Sequence, residues 1–506
     1  MNRRAGVVLS YVLMILEILS TLLLTPFIIR TLGRAEYGVF KLVTAVNAYL
    51  LLLDLGVGNA VTRYIAKYRT NGDALSERRF FGVSTVFYAA VALLCVIIGA
   101  VLVLIFPAVF AKGLTAEESA LGQKLLFITM LNSAVTLGTA SSNNVIPAYE
   151  RFYVSRGAAI IQIILRMGLT FAALELGFGS LGIVCVNLAM TVLCRAFYLL
   201  YVRYGIGLRP MFRGIKPSFI KEIITYSSLI FVQMIATQLN ATVDQVLIGS
   251  LVAASSTILA VYGVGAQVVQ YFQSIGSAFT GVLMPGVVRL VESGGDSKAI
   301  TREMIRVGRM IFTALLLIWA AFLVNGREFI SLWAGEEYTG AYFVAILLMS
   351  AYSLTLTQAV GSQMLWAKNE HKEQAFLKLA VVLLNIALTV ALILWRPLEG
   401  AAIGTFISIA VGDIIVMNLI FRRKLGVRLG EYYSGLLRGI LPCGAAAAAI
   451  GFAARLLLPE GWLWFVIKCA LMAAVYTGAM LLFGMNAYEK GLLASIFNKL
   501  KRRGGK

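Results

Sequence analysis

Residues 80–106 read FFGVSTVFYAAVALLCVIIGAVLVLIF, a run without a single charged side chain. About 20 apolar residues in an α-helix cross the hydrocarbon core of a bilayer, which is about 30 Å thick. A run of this length and composition therefore predicts a helix that spans a membrane.

The whole chain has the composition of a membrane protein. Of its 506 residues, 60% are hydrophobic and only 13% are charged, and the mean hydropathy is +0.86. A soluble domain carries about 25% charged residues. These features predict an all-α membrane protein with about fourteen transmembrane helices. The predicted spans are residues 6–29, 38–62, 80–106, 122–146, 154–175, 180–202, 222–248, 257–284, 307–325, 340–366, 375–395, 400–421, 436–458 and 463–483.

Basic residues alternate between the two sides of this arrangement. The first run is longer than the apolar region of a signal peptide and lacks a small-residue cleavage site, so we expect it to be a retained span. With its start in the cytoplasm, the cytoplasmic loops and ends hold 33 of the 44 Lys and Arg residues. The opposite loops hold nine, Lys468 among them. This asymmetry predicts a multi-pass protein of the cell inner (plasma) membrane with both termini cytoplasmic. It also explains the net charge of +20 without a nucleic-acid partner.

Motifs of enzymes and of ATP-driven pumps do not occur in the sequence. The five cysteines stand in apolar runs without paired spacing, and the single histidine, His371, stands in a polar cytoplasmic loop. There is no Gly-rich phosphate loop, nucleophile elbow or metal-ligand cluster. We therefore expect no enzymatic activity and no cofactor. The chain is interpreted as a secondary transporter or an uncoupled flippase.

Short motifs recur at a common spacing. Tyr37-Gly38-Val39 returns as Tyr262-Gly263-Val264, 225 residues later, and Gly72-Asp73 returns as Gly295-Asp296. The spacing predicts two copies of a six-helix unit in the same orientation. We assign an N-lobe to residues 1–203 (spans 1–6), a C-lobe to residues 219–423 (spans 7–12), two additional spans to residues 436–483, and a basic amphipathic cytoplasmic tail to residues 486–506.

Polar residues within the spans predict which helices face a cleft. In span 7, Gln233, Thr237, Asn240 and Asp244 lie on one helix face, and similar faces occur in spans 1, 2, 4, 8 and 10. Because these are helices 1, 2 and 4 of each repeat, they favour a central hydrated cleft. Ordinary hydrogen bonding between helices is the alternative for each residue taken singly.

Ionisable residues inside the spans sharpen this prediction, because charged groups persist at that depth mainly when they are paired or face water. The candidate residues for substrate binding or coupling in the cleft are Glu17, Asp54, Arg166, Arg195, Gln233, Asn240, Asp244 and Gln270. Arg63 and Arg289 are candidates for the cytoplasmic entrance, where guanidinium groups suit phosphate. Structural salt bridges, such as Arg166 or Arg195 with Asp54, and simple anchoring at the membrane surface are the alternatives. The acids either bind H⁺ or Na⁺ or neutralise the arginines.

The segment PFIIRTLGRAEYG at residues 26–38, followed by DLGVG at residues 54–58, resembles the polysaccharide transporter family of flippases. That family belongs to the multidrug/oligosaccharidyl-lipid/polysaccharide exporter superfamily and includes exporters of the O-antigen and teichuronic-acid type. The resemblance implies an undecaprenyl-diphosphate-linked oligosaccharide as substrate, flipped to the outer leaflet by alternating access for cell-surface polysaccharide biosynthesis. It also implies membrane lipids and a polysaccharide polymerase or ligase as partners, and a groove for the lipid tail at spans 13 and 14.

Three other functions are alternatives to this one. A lipid II flippase has a similar architecture. A multidrug (cation) exporter of the same superfamily would use Glu17, Asp54 and Asp244 to bind its cargo, although such exporters usually have twelve spans. A membrane-embedded glycan polymerase or ligase ranks lowest, because the outer loops are short and contain no histidine.

Overall fold

The computed structural model describes residues 3–213, 217–292, 296–368, 370 and 372–491. Within this part of the chain, all regular secondary structure is helical, which confirms the predicted fold class. His371 and residues 492–506, most of the predicted tail, lie outside the described residues, and so does the side chain of Arg289.

The α-helices follow one another with short connections. They are α1 (Arg3–Leu50), α2 (Val57–Thr70), α3 (Ala74–Val109), α4 (Ala116–Gly138), α5 (Ala140–Ala148), α6 (Phe152–Glu175), α7 (Gly179–Leu200), α8 (Pro217–Leu251), α9 (Ser256–Glu292), α10 (Ser297–Ala334), α11 (Ala341–Thr357), α12 (Ala359–Ala367), α13 (Lys372–Ile393), α14 (Pro397–Ser408), α15 (Met417–Ile420), α16 (Leu429–Leu437), α17 (Ile440–Leu457) and α18 (Trp462–Ala479). Wider π-helical turns stand at Tyr201–Ile206, Ile409–Val416, Phe421–Leu425 and Met480–Gly484.

Each predicted span falls on helical structure. Among the described residues, ten helical stretches are long and apolar enough to cross a membrane, or eleven when α11 and α12, bent by 41°, count as one. The first of these stretches, Leu9–Thr70, has 62 residues and contains residues 9–29 of predicted span 1 and all of predicted span 2. A helix of that length would measure about 90 Å, three times the hydrocarbon thickness, so it must turn back.

Glycine provides the turn. Gly33 has φ 71° and ψ 176° within α1, a conformation open essentially to glycine alone, and it separates spans 1 and 2. Span 2 is itself interrupted: after α1 the chain forms a short 3₁₀ turn at Leu51–Asp54, and Leu55 and Gly56 both have positive φ before α2 begins. The DLG sequence of residues 54–56 therefore marks a break inside a predicted span.

Helix breaks, wide turns and helix caps of similar form occur twice along the chain. The helical path of span 4 breaks at Thr139, and that of span 10 breaks at Gln358. The wide turns at Tyr201–Ile206 and Phe421–Leu425 end at Gly207 and Gly426, which have φ 78° and 69°. Asp73 and Asp296 cap the helices α3 and α10, each accepting a hydrogen bond from the backbone three residues ahead.

The chain forms two compact units. The first unit comprises Met1–Gly263 and Val382–Gly404, and the second comprises Val264–Val381 and Thr405–Lys506. In the second unit, α10 is packed by α11, α16, α17 and α18. Over half of its most apolar window, 56%, is buried, whereas the corresponding share for α6 or α18 is 22%. Helix α10 is therefore the helix around which this unit is built.

Candidate functional site

A buried carboxylate in the first unit gathers polar side chains from three helices. Asp244 of α8 is only 3% exposed. It accepts a short hydrogen bond from the Tyr262 hydroxyl of α9, and its Oδ1 lies 3.3 Å from Oγ1 of Thr389 on α13. A charged group at this depth is costly unless polar groups or a counter-ion compensate it.

The same polar chain continues along α8 and α13. Oγ1 of Thr389 also lies 3.0 Å from Oδ1 of Asn385. The single hydroxyl proton of Thr389 is therefore donated either to Asp244 or to Asn385. Nδ2 of Asn385 lies 3.4 Å from Oδ1 of Asn240. We call Asn240, Asp244, Tyr262, Asn385 and Thr389 the Asp244 network. It offers carboxylate, amide and hydroxyl oxygens within a few ångströms, which are the donors that hard cations prefer.

The sequence identified only part of this network. Asn240 and Asp244 were predicted from the polar face of span 7, and the structure brings them together. Asn385 and Thr389 were not predicted as site residues. They stand four residues apart in an apolar run and therefore share a helix face. Tyr262 lies in the repeated Tyr-Gly-Val motif, which was interpreted as a repeat signal only.

Asp54 lies at the break in span 2, within the first unit. Its Oδ1 accepts a hydrogen bond of 2.7 Å from the hydroxyl of Tyr88, a fully buried residue of α3. Tyr88 also interacts with the side chain of Asn144 in α5, and the backbone carbonyl oxygen of Asn144 accepts a hydrogen bond of 3.0 Å from Thr62 Oγ1. The carboxylate at the interruption of the helix is thus held by a hydroxyl group of α3.

Glu17 and Arg166 are brought together in the first unit. Each lies fourteen residues from the start of its helix, α1 or α6, and these two helices pack against each other. The Glu17 carboxylate interacts electrostatically with the Arg166 guanidinium. The electrostatic neighbour of Arg166 is thus Glu17, whereas Asp54, the predicted salt-bridge partner, accepts a hydrogen bond from Tyr88.

The remaining predicted residues are more scattered. Arg195 is half-buried on α7, and Gln233 is half-buried on α8. Gln270 is exposed on α9 within the second unit, where its Oε1 accepts from Nε2 of Gln267 at 3.2 Å. Arg63 is exposed on α2.

Outside the predicted spans, Tyr149 contacts Glu77 and Arg69 on the predicted cytoplasmic side of the first unit. The hydroxyl of Tyr149 donates a hydrogen bond of 2.6 Å to Oε1 of Glu77, a residue that is 6% exposed. The guanidinium of Arg69 lies 4.4 Å from the centre of the Tyr149 ring. Burial, together with the Glu77 carboxylate, raises the pKa of the Tyr149 hydroxyl above its ordinary value, so the bond persists at neutral pH.

Comparison with known proteins identifies the family. Residues 4–291, more than half of the chain, match the model of a family described as polysaccharide biosynthesis protein. The chain belongs to this family. Its relatives include the probable low-salt glycan biosynthesis flippase Agl15 of Haloferax volcanii, which is 24% identical over 397 residues and is matched over 77% of each chain.

Two of the solved structures that resemble this member of the polysaccharide biosynthesis family are those of a flippase and of a transporter. The lipid II flippase MurJ in an inward closed conformation superposes with a TM-score of 0.70 at 14% identity, covering 94% of this chain and 97% of MurJ. An inward-facing multidrug resistance MATE family transporter of the MOP superfamily gives a TM-score of 0.56 at 16% identity, covering 80% and 94%. The protein is thus a multi-pass membrane protein with the fold of these two transporters.

In this polysaccharide biosynthesis protein, two residues of the segment 26–38, which carries the family resemblance, lie where helices contact each other. Oε1 of Glu36 accepts a hydrogen bond of 2.7 Å from the backbone N–H of Ser180, at the start of α7. A Cβ on Gly38 would lie 1.8 Å from the carbonyl oxygen of Ser256, so only glycine lets α1 and α9 approach this closely. These residue types are therefore explained by packing within the first unit.

The second unit contains an apolar cavity of about 360 Å³. Its wall includes Phe272 of α9, Phe322 and Phe329 of α10, and Phe465 and Cys469 of α18. Almost every lining atom is apolar, so the cavity suits a hydrocarbon chain better than a sugar. It lies beside span 14, one of the two spans for which a groove for a lipid tail was predicted.

Proposed function

We propose that this protein flips an undecaprenyl-diphosphate-linked oligosaccharide from the cytoplasmic to the outer leaflet of the inner membrane, by alternating access, during cell-surface polysaccharide biosynthesis. The observation that carries the proposal is the family match over residues 4–291, and the description of the archaeal relative as a glycan biosynthesis flippase agrees with it. Such a flippase hands its cargo to a polysaccharide polymerase or ligase on the outer side.

The chemistry of the described residues supports a lipid-linked anionic sugar. Half-buried Arg166 and Arg195 place positive charge inside predicted spans of the first unit, where a diphosphate needs it. The apolar cavity of the second unit matches a stretch of a polyprenyl chain in its lining. A drug exporter selective for cations would have little use for guanidinium groups in its path.

Reconstitution tests the proposal directly. Purified protein in proteoliposomes is supplied with a fluorescent undecaprenyl-diphosphate oligosaccharide, and its transfer between leaflets is followed by quenching with a membrane-impermeant reductant. We expect protein-dependent flipping, and we expect Arg166→Ala to slow it about tenfold or more, because one charge-assisted contact is worth about 1.5–3 kcal/mol.

Two controls make this result specific. Arg203→Ala removes an exposed guanidinium from the wide turn that follows α7, and this variant should flip the lipid at the wild-type rate. Transport of lipid II without transport of the oligosaccharide would replace the proposed substrate with lipid II. Uptake of a cationic dye, with no flipping of either lipid, would assign the protein to the drug exporters.

We further propose that the Asp244 network couples transport to H⁺ or Na⁺. Carboxylate, amide and hydroxyl oxygens close to a buried acid can hold either ion, and an ion that neutralises Asp244 would bias one conformation of the transporter. We expect Asp244→Asn to abolish the stimulation of flipping by an imposed ion gradient. We expect Thr389→Val to weaken that stimulation by several-fold, since one oxygen donor is lost.

The measurement is the flipping rate with and without a Na⁺ gradient or a pH gradient across the proteoliposome. Glu175→Gln is the matched control, because it neutralises an exposed acid at the end of α6. If Asp244→Asn responded to both gradients as the wild type does, the coupling site would lie elsewhere or the flippase would be uncoupled.

A further inference from the structure

Helices α6 and α7 form a hairpin whose open end carries two arginines near each other. Arg156 lies four residues after the start of α6 and Arg195 five residues before the end of α7, which places them about 6 Å and 8 Å from those helix ends. The side chain of Tyr198 interacts electrostatically with both. Its hydroxyl donates a hydrogen bond of 3.2 Å to the carbonyl oxygen of Ser155, so the two helices are in contact here.

Among the described residues, no acidic side chain balances the charge of either arginine. Arg166, further along α6, has Glu17 as its acidic neighbour. Neither Arg156 nor Arg195 forms an ion pair within the described part of the chain. Among the described residues, Nε of Arg156 and Nη1 of Arg195 are also buried without a hydrogen-bond partner.

Such an arrangement is costly in the absence of a ligand. Nearly all buried polar atoms in folded proteins have a hydrogen-bond partner, and the exceptions call for an explanation. Two guanidinium groups within predicted spans also repel each other and lose hydration. A purely structural arginine would be expected to hold a carboxylate or several carbonyl oxygens, as others in this chain do. The two open donors thus indicate an anion that joins them.

We infer that Arg156 and Arg195 form an anion-binding subsite for a phosphate or diphosphate ester. A guanidinium group donates paired, parallel hydrogen bonds to phosphate oxygens, and two of them can hold one diphosphate. The inference rests on the proposed function: this subsite would receive the diphosphate of the lipid-linked sugar at the predicted cytoplasmic end of the first unit. The two arginines also fit the phosphate of an anionic membrane lipid, which shares this chemistry.

Binding of a short-chain probe tests the subsite. The full-length protein in phosphatidylcholine nanodiscs is titrated with farnesyl diphosphate, and farnesol serves as the uncharged control. We expect Arg156→Gln and Arg195→Gln each to weaken binding of farnesyl diphosphate about tenfold, as expected for one charge-assisted contact, without changing binding of farnesol. Arg203→Gln should leave both unchanged. Equal affinities of the wild type and the two variants for farnesyl diphosphate would overturn the inference.

Nanodiscs that also contain phosphatidylglycerol identify the source of the phosphate. If the subsite belongs to the transported diphosphate, farnesyl diphosphate should bind with little change in the presence of this anionic lipid. Strong competition by phosphatidylglycerol, combined with wild-type flipping rates in both variants, would assign the site to a structural lipid and overturn its role in transport.

Thermal stability separates a ligand site from a structural role. Because the unliganded arginines repel each other and lack partners, Arg156→Gln and Arg195→Gln should keep or raise the melting temperature without ligand and lose the rise on adding farnesyl diphosphate. A lowered melting temperature, with the ligand-induced rise intact, would contradict the inference. Failure of the proposed function looks different: the wild type would bind the diphosphate through these residues and yet flip no lipid-linked oligosaccharide.

Discussion

Replacing Lys468 with methionine should lower the free energy of unfolding by about 3–5 kcal/mol, the range seen when one partner of a buried ion pair is removed. Lys468 of α18 is fully buried, and its Nζ lies 2.8 Å from Oε2 of Glu328 on α10. The other carboxylate oxygen, Oε1, accepts from the backbone N–H of Gly461 at 3.2 Å. Without the lysine, the Glu328 carboxylate must either remain charged in an apolar surrounding or take up a proton.

The double variant Lys468→Met/Glu328→Leu is the control for this prediction. Replacing a whole buried ion pair with apolar groups of similar volume is often neutral or stabilising, so the double variant should recover most of the loss. Unfolding by a denaturing detergent, followed by tryptophan fluorescence, measures both. If Lys468→Met were as stable as the wild type, the ion pair would not hold α18 against α10.

Replacing Arg309 with methionine should destabilise the second unit by a similar amount, about 3–5 kcal/mol. Arg309 is 4% exposed, and all five of its N–H donors are used. Nε and Nη2 bind the two carboxylate oxygens of Glu489 at 2.7 and 3.1 Å. Nη1 binds the carbonyl oxygens of Gly435 and Arg438 at 2.9 and 2.8 Å, and Nη2 also binds that of Gly484 at 2.7 Å.

This single side chain therefore joins α10 to the ends of α16 and α18 and to the first residues of the predicted tail. Methionine would leave three carbonyl oxygens and a carboxylate without their donor. Arg306 is the matched control: it lies one turn earlier on α10, its side chain is 42% exposed, and it contacts Glu303 and Tyr488. We expect Arg306→Met to cost less than about 1 kcal/mol. Equal losses in the two variants would mean that Arg309 contributes only as a surface charge.

The contrast between Arg309 and the arginines of the α6–α7 hairpin supports the interpretation of both. Arg309 has a partner for each donor, which is the pattern of an arginine that stabilises the protein. Arg156 and Arg195 each have a buried nitrogen without a hydrogen-bond partner among the described residues, which is the pattern expected of an arginine that binds a ligand. A comparison of their variants, with and without a diphosphate probe, therefore measures the two roles with one assay.

Some of the candidate site could be predicted from local sequence, and some could not. Asn240 and Asp244 were found because four-residue spacing reveals a shared helix face without any knowledge of neighbours. Their partners Asn385 and Thr389 stand 145 residues further along the chain, and only helix packing determines that they meet. Asp54 was expected within an intact helix, whereas the adjoining Gly56 adopts φ 73° and the helix breaks there.

The assignment of Lys468 to an outer loop was wrong. Its positive charge suggested a residue in water, but α18 places it inside the second unit against Glu328. A charge in the sequence indicates exposure only when no opposite charge reaches it, and the partner stands 140 residues away. The count of basic residues predicts the sides of the membrane from a large sum, and such a sum does not determine where any single residue lies.

By itself, the amino-acid sequence determined the all-helical fold and the helical character of each predicted span, because the bilayer demands about 20 apolar residues whose backbone hydrogen bonds close within the helix. The tertiary structure alone decided which charges lie together: Glu328 pairs with Lys468, Glu489 pairs with Arg309, and Glu17 is the electrostatic neighbour of Arg166. It also decided that Arg156 and Arg195 have no acidic partner among the described residues. The formation of a span depends on local composition. The pairing of charged side chains depends on the distances between helices that are far apart in the chain, and only packing fixes those distances.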